Sequence, residues 1–250
     1  MGLRTAIATP DGKQRYVRGL FATIADRYDV ITVALSYGRD RRWKQHLISL
    51  ARITPDDEVL DLACGTGDIL FAAAGRARRA TGLDLTVRML HLAAAKPSRP
   101  RAALVAGDML ALPFGGSRFT VVTVGYGLRN VPDIALAIDE IHRVLAPGGR
   151  LLSLDFNRPA NPVVRAAYLS YLTVVGSALG LLLHGDPDTY RYIAESIRQY
   201  PGAAGVARVL EQHGFTDVRV VPLLGGLMTI HHARRTPSAV LNAPATAPTR

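Results

Sequence analysis

Three aspartates and a pair of glycines are the residues best placed to hold a charged small molecule, because each follows or ends a short apolar run. Residues 59–68 read VLDLACGTGD, with Asp61 inside the run and Gly65 and Gly67 at its closing turn. Glycine lets backbone amides approach a ligand that a side chain would hold off. Taken alone, a Gly-x-Gly pair is no more than a tight turn. Asp61 narrows the choice, since a carboxylate beside phosphates repels them but attracts a ligand bearing an ammonium group. No Lys-Ser or Lys-Thr follows, which excludes a Walker-type phosphate loop. Asp84 closes the next apolar run, 23 residues after Asp61, where an acidic side chain can accept hydrogen bonds from both hydroxyls of a ribose. Asp108 ends a third run, within GDMLALPF at residues 107–114, and its carboxylate suits an adenine amino group. Each aspartate singly reads as a turn former or helix cap. Together, after three successive runs, they describe a site for an adenosyl ligand carrying positive charge.

The elements that must position these residues follow from periodicity. Residues 58–62, 80–84, 103–106, 119–124 and 151–156 are β-rich runs bounded by turn signals, and residues 218–224 and 227–233 form two more around Gly225-Gly226, a hairpin signal. Between them, residues 67–77, 86–96, 133–145, 189–197 and 204–213 have helical spacing. Thr86 is placed to cap the second of these, and Pro147-Gly148-Gly149 to end the third. Strands alternating with helices predict an α/β, doubly wound, seven-stranded sheet, mostly parallel, closed by an antiparallel hairpin. Such a sheet binds ligands beyond the carboxyl ends of its strands. The domain reading is a flexible N-terminus at 1–16, one domain over 17–235, and a disordered tail at 236–250 rich in Pro, Ala and Thr. Within the domain, residues 17–50 form a helical lid and 159–200 a helical insertion.

The chain has 250 residues, 48% of them hydrophobic, and a formal charge of +10, carried mostly by arginines spread along the sequence. That excess favours anionic partners, an acidic lipid surface among them, and says nothing of fold. Cys64 is the sole cysteine, which excludes a disulfide framework and fits a reducing cytoplasm. No export signal is read at the N-terminus. Residues 166–183 run without a charge, touching the lower limit of a membrane span. Their Tyr, Ser, Thr and Gly content favours a helix that is buried or touches a membrane instead of crossing it. His184 and Asp186 form no metal triad with neighbours, and no metal is expected. No aromatic-interleaved basic tract or base-holding motif points to nucleic acid.

The Asp61, Gly65, Gly67, Asp84 and Asp108 pattern resembles the class I S-adenosylmethionine-dependent methyltransferases. Tyr126-Gly127-Leu128-Arg129-Asn130-Val131, the run YRYIAESIR at residues 190–198, and Tyr28-Asp29 with Ser36, Gly38, Trp43 and Lys44 resemble, more narrowly, the menaquinone/ubiquinone C-methyltransferase family. The resemblance implies a Rossmann-like methyltransferase sheet with S-adenosylmethionine as cofactor. It implies methylation of a ring carbon in a polyprenylated quinol, demethylmenaquinol first, and a cofactor site that includes Thr66, Gly107 and Gly125 besides Asp84 and Asp108. Ile31-Thr32-Val33 stands where the family often has Met-Asn-Asp, Asp40 where many members have histidine, and Gly125 where a serine is common. The alternatives are a ubiquinone-type benzoquinol or another phenolic or polyketide acceptor. A non-enzymatic binding protein on the same fold is a more distant one.

For such a reaction, Arg129 is the expected stabiliser of the ring oxyanion, since an arginine does not accept protons, and Asn130 is expected to hydrogen-bond a ring oxygen. Tyr28 is expected to contact the quinol and exclude water. Asp155 ends a strand at the same rim, where it either accepts a proton or pairs with Arg158. His231 and His232 alternate to opposite sheet faces. A tail-bearing substrate lives in the bilayer, so a cytoplasmic protein visiting the anionic inner membrane face is expected. Association into a homo-oligomer is left open by the sequence.

Overall fold

The computed structural model describes residues 2–36, 38–97 and 99–237. Seven strands form one sheet: β1 (Glu58–Leu62), β2 (Arg79–Asp84), β3 (Ala103–Ala106), β4 (Phe119–Gly125), β5 (Leu145–Phe156), β6 (Phe215–Leu223) and β7 (Met228–Arg235). Their order is β3-β2-β1-β4-β5-β7-β6, with β1 to β5 parallel and β7 antiparallel to both β5 and β6. The expected architecture is therefore observed, with the last strand in sequence inserted between β5 and β6. Chain direction across the sheet reverses between β1 and β4, so the crevice lies beyond their carboxyl ends.

Alternation along the strands feeds two cores. Leu60, Leu62, Val122 and Val124 face α7 (Ile134–Val144) and α10 (Gly202–Gln212), while Val59 and Val121 face α4 (Asp40–Ala51) and α5 (Asp68–Ala74). In α7, Ile138 and Ile141 are fully buried, and Asp133 Oδ1 caps the helix by accepting from Leu136 N at 3.0 Å. α6 (Val87–Ala95) links β2 to β3. Thr86 precedes it without a side-chain cap, and its amide donates to Asp84 Oδ1 at 2.8 Å.

Three readings need correction. Residues 1–16, read as a flexible N-terminus, are helical where described: α1 (Leu3–Ala6) and α2 (Pro10–Ile24) occupy them, with Leu3 and Ile7 buried against Tyr192. The overlooked signal is Thr9-Pro10, whose hydroxyl accepts from Gly12 N at 3.2 Å while proline sits in the first turn. Pro147-Gly148-Gly149 does not stop α7, which ends at Val144; it lies within β5, where Gly148 has φ +74° and the register with β4 shifts between Phe119 and Val121. The lid at 17–50, whose spacing predicts helix, loop and helix, instead holds α3 (Tyr28–Leu35) between α2 and α4. Of the tail read as disordered, residues 238–250 lie outside the described residues.

The insertion after β5 is a helical hairpin, α8 (Pro162–His184) and α9 (Asp188–Gln199). Asn161 caps α8, accepting from Val163 N and Val164 N, and Gly185 ends it at φ +69°. α8 is long and apolar enough to cross a membrane by length and composition, yet only 22% of its most apolar window is buried.

Candidate active site

The ends of β1, β2, β3 and β4 converge on one cavity of about 90 Å³ lined by Gly65, Asp84, Gly107, Asp108 and Gly125. Gly65 follows β1 at φ +53°, and a Cβ there would find only Tyr28 Cε1, at 3.9 Å. Its amide donates to Asp84 Oδ2 at 2.8 Å. Each Asp84 oxygen thus accepts one backbone N–H and keeps acceptor capacity for a hydroxyl. Burial holds the Asp84 carboxyl above its ordinary range. Asp108 Oδ1 accepts from Leu110 N at 2.9 Å, and its Oδ2 accepts from the Gln14 amide of α2. Gln14, Val17 and Phe21 therefore roof the cavity from the lid. At Gly125 a Cβ would come within 2.5 Å of Ile69 Cδ1, the movable end of a side chain, so a small residue such as the family's serine needs only a shift of Ile69.

A smaller recess adjoins it, lined by Asp61, Thr66, Asp68 and Lys44 and sharing Gly65, Gly125, Tyr28 and Tyr126 with the first. Asp61 pairs in register with Thr123, whose hydroxyl donates to Oδ1 at 2.7 Å. Oδ2 is buried without a hydrogen-bond partner, a costly arrangement unless a cation or donor reaches it. Burial pushes Asp61 up to about 7, against the pull of the Thr123 hydroxyl. An orphaned carboxylate oxygen here fits the ammonium of S-adenosylmethionine, as Asp84 fits its ribose. Gly67 does not line either space. At φ +88° it starts α5, and a Cβ would strike Phe71 at 2.5 Å.

Arg129 and Asn130 lie in a 3₁₀ turn, Leu128–Asn130, after β4. Arg129 is ion-paired to Asp155, Nε to Oδ1 at 3.1 Å, and its backbone N–H donates to Asp155 Oδ2 at 3.1 Å. Nη1 donates to Asn130 Oδ1 at 2.8 Å and to Ser196 Oγ of α9 at 3.0 Å, and the guanidinium lies 4.9 Å from the Phe156 ring centre. Burial raises the Asp155 carboxyl while Arg129 lowers it. Asp155 is thus bound to Arg129, whereas Arg158 donates to the Arg198 carbonyl. Asn130 departs from its expected place. Its Oδ1 accepts from Arg129 and Tyr192 and its Nδ2 donates to Tyr126 O, so it orients Arg129 from the smaller cavity and does not line the larger one. His231 lies on the buried face, Nε2 against Ala203 O at 3.0 Å, away from all three spaces.

The larger cavity, about 570 Å³, opens between the lid, α8 and α9, and Arg129 is the charged side chain on its wall among the described residues. Leu20, Ile24, Ile31, Leu172 and Ile193 give it an apolar lining. Tyr28 and Tyr126 line all three spaces and so form the partition between them. Burial pushes the Tyr28 phenol up to about 12, keeping it a neutral donor. Tyr126, Gln14 and the α9 residues Tyr192 and Ser196 were not singled out as site residues by spacing. Tyr126, Tyr192 and Ser196 are signalled only by membership of the runs 126–131 and 190–198, and Gln14 by neither.

The sequence pattern of the ubiE/COQ5 methyltransferase family matches residues 9–235. A demethylmenaquinone methyltransferase of Mycobacterium sp. (strain JLS) is 37% identical over 230 residues, covering 92% of this chain and 98% of the relative. A ubiquinone/menaquinone biosynthesis C-methyltransferase UbiE of Cereibacter sphaeroides (strain ATCC 17029 / ATH 2.4.9) is 37% identical over 237 residues, covering 92% and 94%. Among solved structures, the N-methyltransferase NodS from Bradyrhizobium japonicum WM9, in complex with S-adenosyl-L-homocysteine, aligns with TM-score 0.56 at 18% identity over 78% of this chain and 86% of its own. At that identity the likeness shows the fold.

Proposed function

The chain belongs to the ubiE/COQ5 methyltransferase family, and from that premise we propose that it methylates a ring carbon of a polyprenylated quinol, converting demethylmenaquinol to menaquinol. The observation that carries this reading is the apolar cavity of about 570 Å³ that meets the aspartate-lined cavity at Tyr28 and Tyr126 and bears Arg129 on its wall. S-adenosylmethionine supplies a sulfonium methyl when bound. Asp84 and Asp108 would hold its nucleoside and Asp61 its ammonium. Gly65 and Gly125 keep the floor between the spaces clear.

Methyl transfer would need the acceptor ring held close to the donor and in line with it, at the junction of the two cavities that Tyr28 and Tyr126 line. Tyr28 and Tyr126 set that approach from either side and exclude water. Arg129 stabilises the ring oxyanion as it forms, held by Asp155, Asn130 and Ser196 so that little reorganisation accompanies the charge. An isoprenoid tail fits the apolar walls, at about 0.8 kcal/mol for each methylene removed from water. The same walls suit a benzoquinol, and the curated relatives carry both kinds of name. Purified enzyme with labelled methyl donor, offered demethylmenaquinol, a ubiquinone-type benzoquinol precursor and a tail-less phenol, is expected to label the first most rapidly. Labelling of the tail-less phenol alone would overturn the quinol reading.

The membrane assignment rests on α8. Val163, Val174, Leu181 and Leu182 are large apolar side chains exposed along it, and Val163 also lines the cavity. With a formal charge of +10 on the chain, this face suits an anionic bilayer from which the tail enters, at the cytoplasmic side of the inner membrane. Flotation with anionic liposomes at low salt tests it: co-migration is expected, and a protein that stays at the bottom of the gradient removes the assignment.

A further inference from the structure

Replacing a ring hydrogen by methyl releases one proton per turnover, so a C-methyltransferase must send that proton somewhere. Among the residues whose side chains are described, no Asp, Glu or His lines the larger cavity. Arg129 does not accept protons. Tyr28, pushed up to about 12 by burial, is no base. Besides Arg129, which is paired with Asp155, a second lining side chain among the described residues is bonded to a carboxylate. The Tyr126 hydroxyl donates to Asp40 Oδ1 at 2.6 Å, a bond between residues 86 apart in sequence.

We propose that Tyr126 and Asp40 form the proton-accepting pair of this enzyme, with Tyr126 contacting the acceptor hydroxyl and Asp40 taking the proton that Tyr126 passes on. The inference rests on the reading of the acceptor as a phenolic ring. Asp40 is only 4% exposed, yet it is not isolated. Its Oδ2 lies 2.6 Å from Lys44 Nζ, Lys44 lies 3.0 Å from Asp68, and Asp68 lies 2.7 Å from Lys96. The Asp68 side chain is 42% exposed, so a row of alternating charges runs from the cavity wall to solvent. Ser36 Oγ accepts the Asp40 amide at 3.1 Å, which fixes the start of α4 against the site.

Tyr126 is held as a relay would need. Its backbone sits at φ +59°, a left-handed conformation that a non-glycine residue keeps only where the surroundings impose it. Its N–H donates to Leu154 O at 2.7 Å, and its carbonyl accepts from Asn130 Nδ2 at 2.8 Å. Burial and the Asp40 carboxylate hold its phenol well above the ordinary value, so it does not stand as a free phenolate; it receives one proton as it gives up another. In the step, the O–H bond of the acceptor breaks and a bond to Tyr126 Oη forms, while the original Tyr126 proton bonds to Asp40 Oδ1. Tyr126 ends neutral, Asp40 ends protonated, and the ring oxyanion faces Arg129. The negative charge has moved from Asp40 to the ring. Once the ring carbon has taken the methyl, its C–H bond breaks, the electron pair restores the aromatic ring and that proton returns to the ring oxygen, so the proton held on Asp40 is the one released to solvent per turnover.

Tyr126→Phe tests this with the ring retained. We expect kcat at neutral pH to fall about 10²–10³-fold, while the Kd for S-adenosylhomocysteine, measured by calorimetry, stays within about twofold; the residual rate should climb about tenfold per pH unit as hydroxide replaces the pair. Asp40→Asn should act in the same direction and Asp40→Glu recover part of the rate. An unchanged kcat and pH profile in Tyr126→Phe would overturn the proposal, as would equal losses in kcat and in S-adenosylhomocysteine binding. Absorbance of bound 2-naphthol gives a readout without turnover: the wild-type chain should ionise it at lower pH than Tyr126→Phe does. If no quinol is methylated but this ionisation still depends on Tyr126, the quinol reading fails and the pair stands. If quinol is methylated and the ionisation is the same in both chains, the pair alone fails.

Discussion

Asp61 carries more of the cofactor argument than the glycines beside it, because one of its oxygens is buried with nothing to bind. Since burial pushes it up to about 7, the empty folded chain keeps a proton there between the ordinary carboxylate range near 4 and neutrality, and that proton must leave before an ammonium can pair. The unfolded chain holds fewer protons in this window, so Asp61 lowers stability as pH rises through it and not above it. Binding has the opposite slope. Calorimetric affinity for S-adenosylhomocysteine should rise by up to about tenfold per unit toward pH 7 and then level off. 5′-Methylthioadenosine, which lacks the ammonium, and the variant Asp61→Asn should each show a flat profile; a slope that survives in Asp61→Asn would place the titrating group elsewhere. Asp61, Asp84 and Asp108 were legible because each lies at or near the end of its own strand, where local pattern fixes position. The partners of Asp155 and Asp40 were not, since Arg129 and Tyr126 reach them from loops that sequence spacing does not bring together.

The helical hairpin of α8 and α9 shows what pattern reading sees and what it misses. The uncharged stretch at 166–183 announced a long apolar helix, but its two inner glycines gave no sign of their purpose. A Cβ at Gly180 would lie 2.4 Å from Asp186 O, and one at Gly176 2.8 Å from Tyr190 O, so these glycines let α8 pack closely on the chain that leads into and begins α9. Gly180→Ala should therefore cost about 1–3 kcal/mol through overpacking and lower Tm by about 2–4 °C per kcal/mol for a chain of this size. Because α9 carries Ser196 and Tyr192 to the Arg129–Asn130 pair, kcat should fall along with Tm. Thermal melting and steady-state kinetics on one preparation check both, and a variant melting with wild type would show that the hairpin relaxes freely. At β5 the reading failed for a related reason: a Pro-Gly-Gly run stops helices in isolation, yet here sheet pairing overrides it and absorbs the glycines as an irregularity at the strand's start.

On the scale of the whole molecule, the doubly wound, mostly parallel sheet with its closing hairpin and the location of the crevice were legible, as alternating strands and helices leave few topologies, whereas the insertion of β7 between β5 and β6 was not read. The roof was not. The opening residues, read as flexible, build α1 and α2, and Lys13 Nζ donates to Val131 O at 2.8 Å beside the Gln14 contact to Asp108. Burial brings Lys13 down to about 8, so its charged form opposes closure below that pH and the roof should hold more firmly above it. Gln14→Ala should speed association of S-adenosylhomocysteine several-fold in stopped-flow fluorescence, because a hydrogen bond to a charged group, about 1.5–3 kcal/mol, no longer has to be surrendered first; unchanged association would mean that the helix does not compete. The carboxamide of Gln14 presents to Asp108 the same kind of N–H that an adenine would. On the proposed placement of the nucleobase, Gln14 would be its understudy, ready to reclaim the seat that the spent donor leaves. Exchange between rounds would then be a handover between a tethered group and a free one, and the stopped-flow comparison reads whether that handover sets the pace.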